Sequence, residues 1–69
     1  MRVSDTVAIG LALRKRRKEL GYTQQFLSDV TGLSVSFISE VENGKETAEV
    51  GKVIRYISFL GLNVLLEER

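Results

Sequence analysis

The sequence predicts an all-α fold, a bundle of four short helices extended by a short C-terminal β-strand. Three observations carry that prediction. The 69-residue chain has no proline, and four of its six glycines, Gly21, Gly32, Gly44 and Gly61, each follow a segment with helical spacing of apolar residues. That is where a left-handed residue closing a helix belongs. After Gly61 the apolar spacing changes from helical to alternating, which is the period of a strand. Finally, 43% hydrophobic and 28% charged residues suit a folded chain, and this length suits one small domain over residues 1–69.

The first helix is expected to start after Ser4 or Asp5 and to end at Leu20, with Ile9, Leu13 and Leu20 near one face and Arg17 between the last two. Thr23, a good N-cap residue, opens the second helix, which stops before Gly32. Ser34 opens the third, which stops at Asn43-Gly44 and turns Ile38 and Val41 inward. The fourth is expected from near Thr47, with Val50, Val53, Ile54, Ile57 and Leu60 as its apolar stripe. Gly10 and Gly51 fall inside helical segments, each at a cost of about 1 kcal/mol relative to Ala, which a close approach of another chain segment would explain. In the tail, Leu62, Val64 and Leu66 alternate with Asn63, Leu65 and Glu67, giving a strand over 62–67. No second strand is expected elsewhere, so its backbone groups must pair with another molecule or fray.

The chain contains no Cys, His or Trp. This excludes a disulfide framework, a zinc site of Cys/His type, a Cys nucleophile and histidine acid–base chemistry. The carboxylates have no such companions and no glycine-rich phosphate loop is present, so neither an enzyme nor a cofactor is expected. No apolar run approaches the roughly 18 residues that cross a bilayer. In residues 1–20 the charge cluster follows the apolar stretch, unlike a signal peptide. A soluble cytoplasmic protein with no membrane association is expected. With neither disulfide nor metal available, a chain this short is expected to oligomerise for stability.

The net charge of +1 hides an asymmetry: +4 over residues 1–22, −3 over 23–46 and 0 over 47–69. A basic N-terminal third points to an anionic partner, although the total is small for a nucleic-acid binder.

Residues 24–43 fit a helix-turn-helix. Two short helices that cross closely need apolar residues where they touch, a small residue at the crossing and glycine in the turn. Leu27, Leu33, Ile38 and Val41 supply the first, Ser28 the second and Gly32 the third, with another small residue, Thr31, before the turn. An ordinary helical hairpin within a bundle is the plainer reading.

The run YTQQFLSDVTGLSVSFISEVENGK, with Arg17 four residues before Gly21, resembles the Cro/CI-type (Xre) helix-turn-helix repressors over roughly residues 9–61. Ser28 and Thr31 stand where that family commonly has Ala, and Ala or Val. The fourth helix TAEVGKVIRYISF and the tail LGLNVLLEER resemble the HipB-type antitoxins, whose C-terminal strands pair across a dimer. The resemblance implies a lambda-repressor-like bundle whose strand pairs across a homodimer through Leu62, Val64 and Leu66. It also implies a repressor of a palindromic operator on double-stranded DNA. That repressor would control its own operon and act as antitoxin to a HipA-type Ser/Thr kinase toxin. A stand-alone phage-type or restriction-modification regulator is one alternative. A protein-only antitoxin or adaptor that no longer binds DNA is another, kept open by the acidic middle third.

On this reading the second helix of the motif enters the major groove, and Ser34, Val35, Ser36 and Ser39 face base edges. The hydroxyls donate or accept, and Val35 can touch a thymine methyl. Capping and surface roles are the plainer reading of the serines. Glu40 departs from the more basic residues common there; it could accept from a cytosine amino group or simply repel phosphate. The resemblance sets Gln24 and Gln25 beside the sugar-phosphate backbone, and Asn43 and Lys45 follow the reading helix along the same strand. Arg17 and Glu42 match a partly buried ion pair of the family, with two solvated charges as the alternative. Most of the basic run Arg14–Lys18 is expected to face solvent. Phe26, Val30, Tyr56 and Phe59 are left over, as core edge, dimer surface or a partner-protein surface.

Overall fold

The structure is a computed structural model that describes residues 2–69. Four helices follow in order: α1 (Thr6–Glu19), α2 (Gln24–Thr31), α3 (Val35–Glu42) and α4 (Val50–Phe59). Three of them begin on a side-chain cap. Asp5 accepts from the Ala8 N–H at 2.7 Å, Thr23 from Phe26 at 3.0 Å and Ser34 from Phe37 at 3.0 Å. Each cap satisfies one of the amide donors that a helix start leaves free. The helix ends after Glu19, Glu42 and Phe59 share a second device. The N–H groups of Gly21, Gly44 and Gly61 reach back to Lys18, Val41 and Ser58, and those of Tyr22, Lys45 and Leu62 to Arg17, Glu40 and Ile57. This double bond pattern needs a left-handed residue at its centre.

The start of α4 lies later than the sequence suggests. Glu49 precedes it with no side-chain cap, and residues 46–48 form a turn and a bend instead of extending the helix back to Thr47.

The core consists of Leu13, Leu27, Leu33, Ile38, Val41, Tyr56 and Leu60, with Ile9, Leu20, Val53, Ile57 and Leu62 packed around it. The four apolar positions of the motif are all inside. The inward face of α4 differs from the expected stripe. Val53, Tyr56, Ile57 and Leu60 turn in, while Val50 is 70% and Ile54 44% exposed. Tyr56, expected at the edge of the helix, is fully buried. The two patterns overlap at three positions, and spacing alone does not separate them. The inward setting buries the Tyr56 ring and gives its hydroxyl a protein acceptor, Glu42.

Helix α1 crosses the end of α3 at Gly10. A Cβ placed there would lie 2.6 Å from the carbonyl oxygens of Val41 and Glu42, so the crossing requires glycine. The same crossing is tied one turn earlier, where Thr6 Oγ1 donates to Gly44 O at 2.8 Å. Nothing crowds Gly51.

The expected strand over 62–67 does not form within the chain. Residues 62–69 carry no regular secondary structure. Leu62 packs on the core, Val64 is 50%, Leu65 78% and Leu66 96% exposed. A strand is defined by its partner's hydrogen bonds, and no other strand exists among the described residues.

Gly10→Ala is expected to destabilise the fold by about 1–3 kcal/mol through overpacking. Gly51→Ala, in open space within a helix, is expected to stabilise it by about 0.5–1 kcal/mol. Urea denaturation of the two variants checks both, and equal effects would contradict the crossing at Gly10.

Candidate nucleic-acid interface

The motif is assembled around one carboxylate. Glu42, the last residue of α3, is buried. Its Oε2 accepts from Arg17 Nε at 2.8 Å and from the Tyr56 hydroxyl at 2.6 Å, and its Oε1 accepts from Arg17 Nη2 at 3.0 Å and Gln24 Nε2 at 3.2 Å. Arg17 also donates to the carbonyl of Tyr22 at 2.9 Å, in the turn between α1 and α2. One side chain therefore joins all four helices. Burial alone would raise the Glu42 carboxyl, but the hydrogen bonds from Arg17, Tyr56 and Gln24 outweigh it and hold the group below the usual carboxylate range. The hydrogen bond to Glu42 holds Arg17 charged against the cost of burial. Burial and the bond to Glu42 keep Tyr56 protonated well beyond its ordinary range. No buried side-chain nitrogen or oxygen among the described residues lacks a partner.

With that frame set, α3 turns Ile38, Val41 and Glu42 inward. Ser36, Ser39, Glu40 and Asn43 lie three and four apart on the opposite side. Ser36 and Ser34 are exposed, whereas Val35 and Ser39 are partly buried. The Ser34 hydroxyl oxygen is engaged as the cap of α3. Asn43 Nδ2 donates back to Ser39 O at 2.9 Å and lies 3.4 Å from Ser39 Oγ.

The residues assigned to the DNA backbone have partners inside the chain. Gln24, partly buried, gives its amide to Glu42. Gln25 Nε2 donates to Asp29 Oδ1 at 2.9 Å on the exposed face of α2. The Lys45 ammonium forms an ion pair with Glu40. The turn before α3 is braced by Thr31, whose hydroxyl donates to Leu27 O at 2.6 Å and accepts from the Leu33 N–H at 3.1 Å.

The basic run divides by position around α1. Arg14, Lys15 and Lys18 are exposed, Arg17 is buried, and Arg16 Nε donates to Leu60 O at 2.9 Å at the end of α4. Arg55 similarly donates to Thr31 O at 2.9 Å, fastening α4 to the end of α2. Phe26, Val30, Ile54 and Phe59 remain substantially exposed. The sequence reading overlooked Tyr56 and Gln24 as partners of Glu42. For Tyr56 a signal existed: it lies three residues after Val53 and four before Leu60. For Gln24 there was none, because a glutamine at a helix start serves equally well outside.

Removing either partner of the buried pair is expected to cost about 3–5 kcal/mol, because it strands the other charge. Arg17→Ala and Glu42→Ala are expected to be strongly non-additive in a double-mutant cycle. The folded-state value of Glu42 lies below its unfolded value, so its stabilisation is complete above the unfolded value and fades as pH falls through the folded one. Acid unfolding of the native chain should therefore be steeper than that of Glu42→Gln, as circular dichroism against pH would record. A coupling of zero would return both residues to independent surface charges.

A family profile described as Helix-turn-helix matches residues 13–65 of the chain. The HTH-type transcriptional regulator y4mF of Sinorhizobium fredii is 36% identical over 63 residues, covering 91% of this chain and 83% of its own length. Two solved structures superpose with a TM-score of 0.89 at 20% identity. One is HipB in complex with an O4 20mer, covering 99% of this chain and 96% of its own. The other is a serine-to-alanine variant of HipB with an O2 20mer, covering 99% and 94%. At that identity they establish the fold, which is HipB's. The profile and the curated relative, together with the buried Arg17–Glu42 frame beneath an α2-turn-α3 pair, show that the chain belongs to the Cro/CI-type helix-turn-helix family of transcriptional regulators.

Proposed function

We propose that the protein is a sequence-specific DNA-binding repressor that acts as a homodimer, with α3 as its reading helix. The observation that carries this reading is the solvent face of α3, which holds Ser36, Ser39 and Asn43 opposite a fully buried Ile38 and Val41. A helix so anchored presents its N-terminal end to a major groove. Ser34, Val35, Ser36 and Ser39 then meet base edges, and Gln24, Gln25, Asn43 and Lys45 meet the phosphate backbone. Lys45 exchanges Glu40 for a phosphate on binding, so part of its favourable energy is already spent in the free chain.

The tail supplies the dimer. Leu62, Val64 and Leu66 grow steadily more exposed along one alternating face, from core contact to open solvent. An antiparallel strand from a second copy would cover that face and satisfy the unpaired backbone. The same pairing sets two reading helices about 34 Å apart, one turn of B-DNA. The likeness to HipB supports the narrower reading, an antitoxin that represses its own operon and binds a HipA-type Ser/Thr kinase.

A gel shift against the protein's own promoter and random DNA, over a range of salt, tests the function. A salt-dependent preference for the promoter supports it, and no shift at any salt favours a protein-only adaptor. Ser36→Ala is expected to change preference at one base pair by about 1 kcal/mol or more. Lys45→Ala is expected to weaken all sequences alike and lower the salt slope by about one unit.

Leu62 closes the end of α4, with its N–H bonded to Ile57 O at 3.1 Å. Removal of residues 64–69 therefore spares the helix cap. The shortened chain is expected to sediment as a monomer and to lose operator affinity steeply, since each half-site is then bound separately. A tight dimer of the shortened chain would move dimerisation to the exposed apolar residues of α4.

A further inference from the structure

Tyr56 brings α4 into contact with the carboxylate at the root of the reading helix. Its ring is 0% exposed, and a phenylalanine would fill the same space. Packing therefore does not call for the hydroxyl, which donates to Glu42 Oε2 at 2.6 Å. The other carboxylate oxygen, Oε1, holds the side-chain amide of Gln24 at 3.2 Å. The two oxygens share one rigid plane, so whatever pins Oε2 also sets where Oε1 stands. Arg17 contacts both oxygens from one side. Tyr56 adds a further donor on Oε2 beside that two-bond fork. Gln24 is the first residue of α2, where backbone N–H groups have no partner within the helix.

We infer that Tyr56 is a positioning residue for DNA binding, which acts through Glu42 to hold the Gln24 amide at the phosphate-facing start of α2. The inference rests on the reading of Gln24 as a backbone contact. It gives α4 a second task beside packing. The helix that leads into the dimer tail also controls the geometry of a DNA-contacting side chain on α2, through a single shared acceptor.

Tyr56→Phe keeps the ring and removes one donor. Two measurements on the full chain test the inference. The first is the side-chain amide signal of Gln24 in nitrogen-15 correlation spectra of the free protein, where Tyr56→Phe is expected to shift it and to speed its exchange with water. The second is promoter and random-DNA affinity by fluorescence anisotropy, at a temperature where every variant is folded. Tyr56→Phe is expected to weaken both DNAs by about threefold to tenfold, the size of one lost hydrogen bond, and alike, because phosphate contacts carry no sequence information. In a Gln24→Ala background the same substitution is expected to change affinity by less than about twofold. An unmoved Gln24 signal overturns the inference whatever the DNA result. Equal losses in both backgrounds also overturn it, since Tyr56 would then act without Gln24. A moved signal with no effect of Gln24→Ala on affinity overturns it on the other ground, that Gln24 does not contact the backbone.

Discussion

The Glu42 carboxylate is the interaction on which the arrangement of the four helices depends. It stands at the end of α3 and gathers Arg17 from α1, Gln24 from α2 and Tyr56 from α4. An ionised group taken out of water is costly unless its charge is matched and its lone pairs are used. Here a charged partner reaches both oxygens and two neutral donors occupy what remains. The result is directional in a way that the seven-residue apolar core is not. Leu, Ile and Val side chains tolerate small rotations of one helix on another, whereas a carboxylate with four donors does so only by losing bonds. The ion pair is therefore better understood as fixing orientation than as a source of net stability.

That orientation matters because of what lies on the other side of α3. Under the proposed function α3 reads base edges, which requires a helix axis held to a fraction of a hydrogen-bond length, and α3 is only eight residues long. Its anchorage comes from both ends. Ser34 caps the start, and Glu42 and the Gly44 turn fix the finish, where α1 passes so close that Gly10 cannot carry a side chain. The solvent face between these ends is almost uncharged apart from Glu40, which the Lys45 ammonium neutralises. Five of the ten basic residues lie on α1, and under the proposed function this weakly charged face of α3 leaves discrimination to hydroxyl groups and shape more than to ionic contacts.

The tail and the outer face of α4 show what the single chain leaves unfinished. Val64, Leu65 and Leu66 expose apolar surface on a segment without hydrogen-bonded structure, and Val50, Ile54 and Phe59 do so on a helix. The helix has already satisfied its own backbone, and the tail has not. This difference is what the proposed function builds on when it assigns pairing with a second copy to the tail.

Local chemistry made much of this protein legible in the sequence. Asp5, Thr23 and Ser34 are cap residues whose partners lie three positions away, and the glycines at helix ends act within one turn. The helix boundaries of α1 to α3 followed from such short-range rules, the motif core of Leu27, Leu33, Ile38 and Val41 from its spacing, and the family from the resemblance of residues 22–45 to the Cro/CI-type repressors. The start of α4 did not, because Glu49 provides no cap and the helix begins where packing allows. The period put Val50 and Ile54 on the inward face of α4, whereas the structure turns Tyr56 in and leaves those two exposed, because two overlapping stripes share Val53, Ile57 and Leu60. The tertiary structure shows the Tyr56 side turned inward, where its hydroxyl meets an acceptor 14 residues away in sequence. It likewise decided that Gln24 bonds to Glu42, 18 residues away, and that Lys45 pairs with Glu40. Spacing along a chain records which residues share a helix face, but the partner that a polar group finds across helices exists only once those helices have been brought together.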